Sequence, residues 1–141
     1  MEENKFIVVD ASLVLKWFSP EEEDLEQALK LYYRHGEGQF RILVPEHFFV
    51  EVSNVFAQKF LDSAESHFSK IKMLGFVGCF IDISIASVAF GLKRKYPKIS
   101  FYDAAYHALA LTKGVPFITA DKSYYEMVKN EGNIVLLKDY R

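Results

Sequence analysis

The chain has 141 residues, 50% of them hydrophobic, 26% charged and 16% aromatic, which suits one folded domain over 1–141 and argues against disorder. Its 17 Lys+Arg against 19 Asp+Glu leave a formal net charge of −2, so a histone-like, polyanion-coating role is excluded and any nucleic-acid site has to be a local patch. The single cysteine, Cys79, excludes an internal disulfide and a Cys-rich zinc framework.

The start, Met1-Glu2-Glu3-Asn4-Lys5, is acidic and leads into four apolar residues, unlike a secretory signal. No apolar run approaches the roughly 18 residues of a membrane helix, so a cytoplasmic protein without a membrane partner is expected. Phe6-Ile7-Val8-Val9 is a short β-branched run of the kind buried on both faces of a parallel sheet. Asp10-Ala11-Ser12 then opens a helical stretch over 13–18, stopped by Ser19-Pro20. The cluster Glu21-Glu22-Glu23-Asp24 suits the start of a helix over 24–35, whose Leu25, Ala28, Leu29 and Tyr32 share a face. Gly36 and Gly38 close that helix.

Residues 41–44 form a second strand, and Pro45 stands where a helix over 46–60 begins. Asp62-Ser63 breaks into another helix that ends near Gly75. Residues 77–83 read as a strand, weakened by Gly78 and Asp82, and 84–95 as a helix stopped by Tyr96-Pro97. An alanine-rich helix runs over 100–113 to Gly114. A strand over 116–119, a helix over 121–130 and a strand over 134–137 complete the chain. Short strands alternating with helices specify an α/β sandwich with a parallel sheet covered on both faces.

Four acids stand out from the solvated ones. Asp10 follows the first apolar run and Asp121 follows Phe117-Ile118-Thr119-Ala120, so both point to the carboxyl rim of the sheet, where ligands bind in such folds. Asp103 opens the alanine-rich helix, and Glu51 borders the apolar face that carries Phe48 and Val55. Each has a plainer reading: Asp10 and Asp121 as helix caps, Asp103 as a first-turn acid, Glu51 as a rim acid. Together, three or four carboxylates on one rim would repel one another unless a cation neutralised them. Mg²⁺ or Mn²⁺ suits that many hard oxygens, and would activate a water and stabilise a phosphodiester in flight.

The blocks Val8-Val9-Asp10-Ala11-Ser12 with Lys16-Trp17-Phe18, Pro45-Glu46 leading to Glu51-Val52-Ser53-Asn54-Val55, Tyr102-Asp103-Ala104-Ala105-Tyr106 with Ala108-Leu109-Ala110, and Thr119-Ala120-Asp121 resemble the PIN-domain ribonucleases. They look most like the VapC-type toxins of toxin–antitoxin pairs. The resemblance implies a PIN-like three-layer sandwich, a short parallel sheet of four to five strands with helices on both faces. It implies metal-dependent cleavage of RNA, with Asp10, Glu51, Asp103 and Asp121 as the catalytic, metal-holding acids. Ser12 and Thr119 match supporting hydroxyls, and Asn54 a frequent companion. Mg²⁺ or Mn²⁺ as cofactor, RNA as substrate, a homodimer and a cognate antitoxin follow from the same resemblance. His107 departs from the usual aliphatic residue and reads either as a hydrogen-bonding support or as a packing histidine; His35, His47 and His67 have no ligand spacing.

RNA needs cations near an acidic rim. Lys93, Arg94, Lys95 and Lys98 form the dense basic cluster, with a solvated helix end as the plainer explanation, while Lys16 and Lys122 lie beside Asp10 and Asp121. Aromatics on the 46–60 helix (Phe48, Phe49, Phe56, Phe60), with Tyr32 and Tyr33, suggest an apolar groove or dimer surface alongside core packing. The rival to a nuclease is a non-cleaving PIN-fold module that binds RNA or protein; it would be marked by a lost acid, and none is lost. A phosphoacceptor receiver domain needs an aspartate at the end of a middle strand, which neither 41–44 nor 77–83 supplies.

Overall fold

Strand β1, Phe6–Val9, is buried from Ile7 onward, as a β-branched run covered on both faces should be. The computed structural model describes residues 5–19 and 23–141; the acidic start over 1–4, Pro20 and the first two glutamates of the 21–24 cluster lie outside them. Asp10 caps helix α1, Ala11–Leu15, and a 3₁₀ turn over Lys16–Phe18 follows, so the 13–18 stretch is two short pieces. Helix α2, Leu25–Gly36, buries Ala28 and Leu31.

Strand β2, Arg41–Pro45, includes the proline expected to open a helix. Pro45 is its last residue, opposite Cys79. Helix α3, Phe48–Lys59, therefore begins later than anticipated and buries Phe48, Val52 and Phe56. Helix α4, Ala64–Met73, leads to strand β3, only Val77–Cys79. The expected extension to residue 83 is absent because the Asp82 carboxylate accepts the Ile85 amide at 2.9 Å and caps α5, Ile83–Lys95. Helix α6, Phe101–Lys113, is capped by Ser100 and ends at Gly114, whose φ of +67° suits a residue without a β-carbon. Strand β4 is Phe117–Thr119, α7 is Lys122–Val128 and β5 is Ile134–Leu136.

The five strands are all parallel, in the order β3-β2-β1-β4-β5. The chain moves outward from β1 through β2 to β3, then crosses back to β4 and β5. Right-handed crossovers place α1 to α4 on one face and α5 to α7 on the other. Helix α6 packs against β1, β2 and β4. Phe48 and Phe56 are fully buried and Phe49 and Phe60 pack against the core, so the aromatics of α3 and of its C-cap, Phe60, serve packing. The order reverses between β1 and β4, where a crevice opens beyond the carboxyl ends of an α/β sheet.

Candidate active site

Asp10 and Asp121 leave the two strands that flank this switch point. Asp10 is buried and its carboxylate takes three donors: the Leu13 amide at 3.1 Å and Ser12 Oγ at 2.7 Å on Oδ1, and the Thr119 hydroxyl on Oδ2. Thr119, fully buried at the end of β4, also accepts the Asp121 amide at 3.0 Å, so one hydroxyl ties both strand ends together. Asp121 Oδ1 accepts the Tyr124 amide at 2.9 Å. Both aspartates are helix caps, and both stand just beyond the strands that flank the switch point. The two readings open at the sequence level are compatible.

Glu51 and Asp103 come from the flanking helices. Glu51, in the first turn of α3, accepts the Tyr106 hydroxyl at 3.0 Å on Oε1, and His47 Nε2 lies 3.1 Å from the same oxygen. That histidine nitrogen is buried and off the line of a good hydrogen bond. Asp103 sits in the first turn of α6, its amide donating to Ser100 Oγ at 3.0 Å.

The acids feel one another. Burial pushes the Asp10 carboxyl up to about 6, against the pull of its three donors, and Asp103 adds a smaller push. Asp103 is raised by burial and by the charges of Asp121 and Glu51, with Ser100 and His47 pulling the other way. Tyr124 is raised by burial and then by Asp103, Asp10 and Asp121; Tyr106 by burial, Glu51 and Asp10. Both phenols therefore stay protonated as donors. The four carboxylates share one electrostatic neighbourhood. The sequence pattern of the PIN domain family matches residues 7–130. This chain belongs to the PIN domain family.

Solved structures share the PIN fold at low sequence identity. A toxin–antitoxin complex from Klebsiella pneumoniae superposes with a TM-score of 0.68 at 20% identity, over 93% of this chain and 97% of that one. Mycobacterium tuberculosis VapC20, described as a sarcin–ricin-loop-cleaving toxin, gives 0.67 at 15% identity over 86% and 94%. Rickettsia felis VapBC2, bound to a DNA fragment from its promoter, gives 0.67 at 11% over 93% and 96%. No curated protein matches the chain by sequence.

Other residues singled out in this PIN domain fall into place differently. Asn54 is exposed on α3. Lys122 pairs with Glu23 at 3.0 Å, and Lys16 donates to the Glu23 carbonyl at 2.8 Å, so both cations turn to the start of α2. His107 is fully buried. Its Nε2 lies 2.8 Å from the Gly132 carbonyl, which can only accept, so Nε2 carries the proton and Nδ1 accepts the Tyr124 hydroxyl at 3.0 Å. Burial lowers its pKa. His107 thus packs and supports at once, tying α6 to Tyr124, whose amide holds Asp121. Sequence reasoning missed Tyr106 and His47. The signal was the i, i+4 spacing of His47 and Glu51; nothing local links Tyr106 to Glu51, 55 residues away.

The donor chemistry fits a hard divalent cation. Among the described residues no lysine or arginine forms an ion pair with Asp10, Glu51, Asp103 or Asp121, and His47, beside Glu51, is the one basic side chain paired with them. Nor, among those residues, do three His, Cys, Asp or Glu side chains gather into a ready ligand shell. A small cation that reaches protein through one or two carboxylates and keeps several waters suits that spacing.

Proposed function

We propose that this PIN domain is a metal-dependent endoribonuclease of the VapC type, the toxin of a toxin–antitoxin pair. The observation that carries the reading is the set of four carboxylates, acting on one another electrostatically and without a Lys or Arg partner among the described residues, near the sheet's switch point. Asp10, Glu51, Asp103 and Asp121 would together hold Mg²⁺ or Mn²⁺, one or two of them directly and the others through the ion's waters. When bound, the ion supplies Lewis-acid charge and lowers the pKa of a water near the scissile phosphodiester.

The chain's own groups orient the oxygens. Ser12, Thr119 and the Leu13 amide fix the Asp10 carboxylate. Tyr106 fixes one oxygen of Glu51. Asp121 Oδ2 accepts no hydrogen bond among the described residues and is available to a ligand. Fixed oxygens avoid reorganisation as charge builds on the phosphate. A cognate antitoxin, a homodimer and a cytoplasmic setting belong to the same reading; the likeness to a Klebsiella pneumoniae toxin–antitoxin complex supports the first of these. Among the described residues no helix is long and apolar enough to cross a membrane.

Purified protein with Mg²⁺ or Mn²⁺ is expected to cleave RNA, and Asp10→Asn or Asp121→Asn to abolish cleavage with the circular dichroism spectrum unchanged. Asparagine also caps helices, so both variants keep that role. Full activity in excess chelator, or in either variant, refutes the mechanism.

A further inference from the structure

Four of the cations near the acids in sequence are already engaged. Lys16 and Lys122 turn to Glu23, Lys95 pairs with Glu131 at 2.5 Å, and Lys93 donates to the Pro97 and Ile99 carbonyls. At the amino ends of the strands the balance reverses. A groove of about 1040 Å³ is lined there by Lys5, Arg34, Arg41 and Lys113, with Phe6 and Tyr140. Among the described residues no acidic side chain lines it, and none of Lys5, Arg41 and Lys113 has an acidic partner.

An aromatic ring lies against each of the two arginines. The Arg34 guanidinium lies 5.3 Å from the Tyr140 ring centre and donates to Tyr140 Oη at 2.9 Å and to a backbone oxygen of Arg141, the last residue, at 3.0 Å. Arg41 lies 6.0 Å from the Phe6 ring centre. A guanidinium held by a ring alone, as Arg41 is, is ordered without being neutralised, which suits it to bind phosphate. Because every strand is parallel, Phe6 and Arg41 at strand starts lie at the opposite end of the sheet from Asp10 and Asp121.

The geometry points to this groove as a second binding site for the RNA phosphodiester backbone, away from the cleavage centre. The polyanion's identity rests on the nuclease reading. The acid cluster repels phosphates, whereas counterion release at four cations attracts them. Both arginines face rings of the protein itself, so the groove reads backbone charge and is indifferent to base sequence.

The test measures binding of a labelled single-stranded RNA by fluorescence anisotropy over a range of salt, in the Asp10→Asn background so that the RNA stays intact. Lys5→Gln/Arg41→Gln/Lys113→Gln is compared with Lys30→Gln/Lys70→Gln/Lys129→Gln, which removes the same charge from other exposed positions. The groove triple is expected to weaken low-salt binding at least tenfold and to reduce the log–log salt slope by about two. The control triple should change the slope by less than one. Equal losses in both triples, or none in the groove triple, overturn the proposal. Lys5→Gln/Lys113→Gln, which leaves the Arg41–Phe6 contact intact, replaces the groove triple should that variant unfold. Tighter binding of polyglutamate than of RNA would assign the groove to a protein partner and also overturn it. Cleavage by the parent protein is scored separately: a parent that binds RNA through the groove but cleaves none refutes the nuclease reading alone.

Discussion

Asp10 is a carboxylate placed where burial opposes its charge. Its folded pKa of about 6, against an ordinary 3.8, means the folded state binds the proton more tightly than the unfolded chain. The stability linked to that proton is complete below about pH 4 and is lost as pH rises through 6. Urea unfolding in chelator is therefore expected to show Asp10→Asn gaining about 2–3 kcal/mol on the parent between pH 4 and pH 7.5. A difference that does not change over this range would count against a buried, uncompensated Asp10. His107 acts in the opposite sense, since its lowered pKa removes stability as pH falls below its ordinary value of 6.5. Replacing it with alanine strands the Tyr124 hydroxyl and the Gly132 carbonyl and opens a cavity. We expect His107→Ala to cost about 2–4 kcal/mol, read as a lower midpoint in the same unfolding assay.

At the scale of elements, helix starts place most of the acids. Asp10 and Asp121 are caps, Asp103 lies three residues after the Ser100 cap, and Glu51 is in the first turn of α3. Helix N-termini favour negative charge, which offsets part of the repulsion among the carboxylates. Ser100→Ala removes the bond to the Asp103 amide and is expected to cost about 1 kcal/mol. Nuclease activity should fall more than that loss explains, because the turn that positions Asp103 frays; activity equal to the parent's below the melting range would show that the cap is purely structural. Elements with strong periodicity or a clear cap were legible before any coordinates: β1, α2, α6 and α7 lie within a residue or two of expectation. The misreadings sit where two signals compete, as at Pro45, a helix opener that instead closes β2, and at 77–83, where the Asp82 cap outranks an apolar run.

At the scale of the whole molecule, the sheet separates charge: acids beyond the carboxyl ends of its strands, and a basic groove without an acidic side chain, among the described residues, at their amino ends. A divalent cation that binds the folded acids and not the unfolded chain should raise stability by about 2.7 kcal/mol at a hundredfold excess over its Kd. The expected readout is a melting temperature that climbs by several degrees with Mg²⁺ in the parent. The climb should disappear in Asp10→Asn/Asp103→Asn, and an equal climb in that double variant would place the ion elsewhere. The alternation of strands and helices and the four acids at element boundaries were written in the sequence, because periodicity and capping act over a few residues. The partners of those acids were decided by the tertiary structure. Thr119 reaches Asp10 across 109 residues and Tyr106 reaches Glu51 across 55, and Lys16 and Lys122 are drawn to Glu23 and away from the acids beside them in sequence. Such contacts depend on which strand lies beside which, and strand order is set by packing the whole sheet at once.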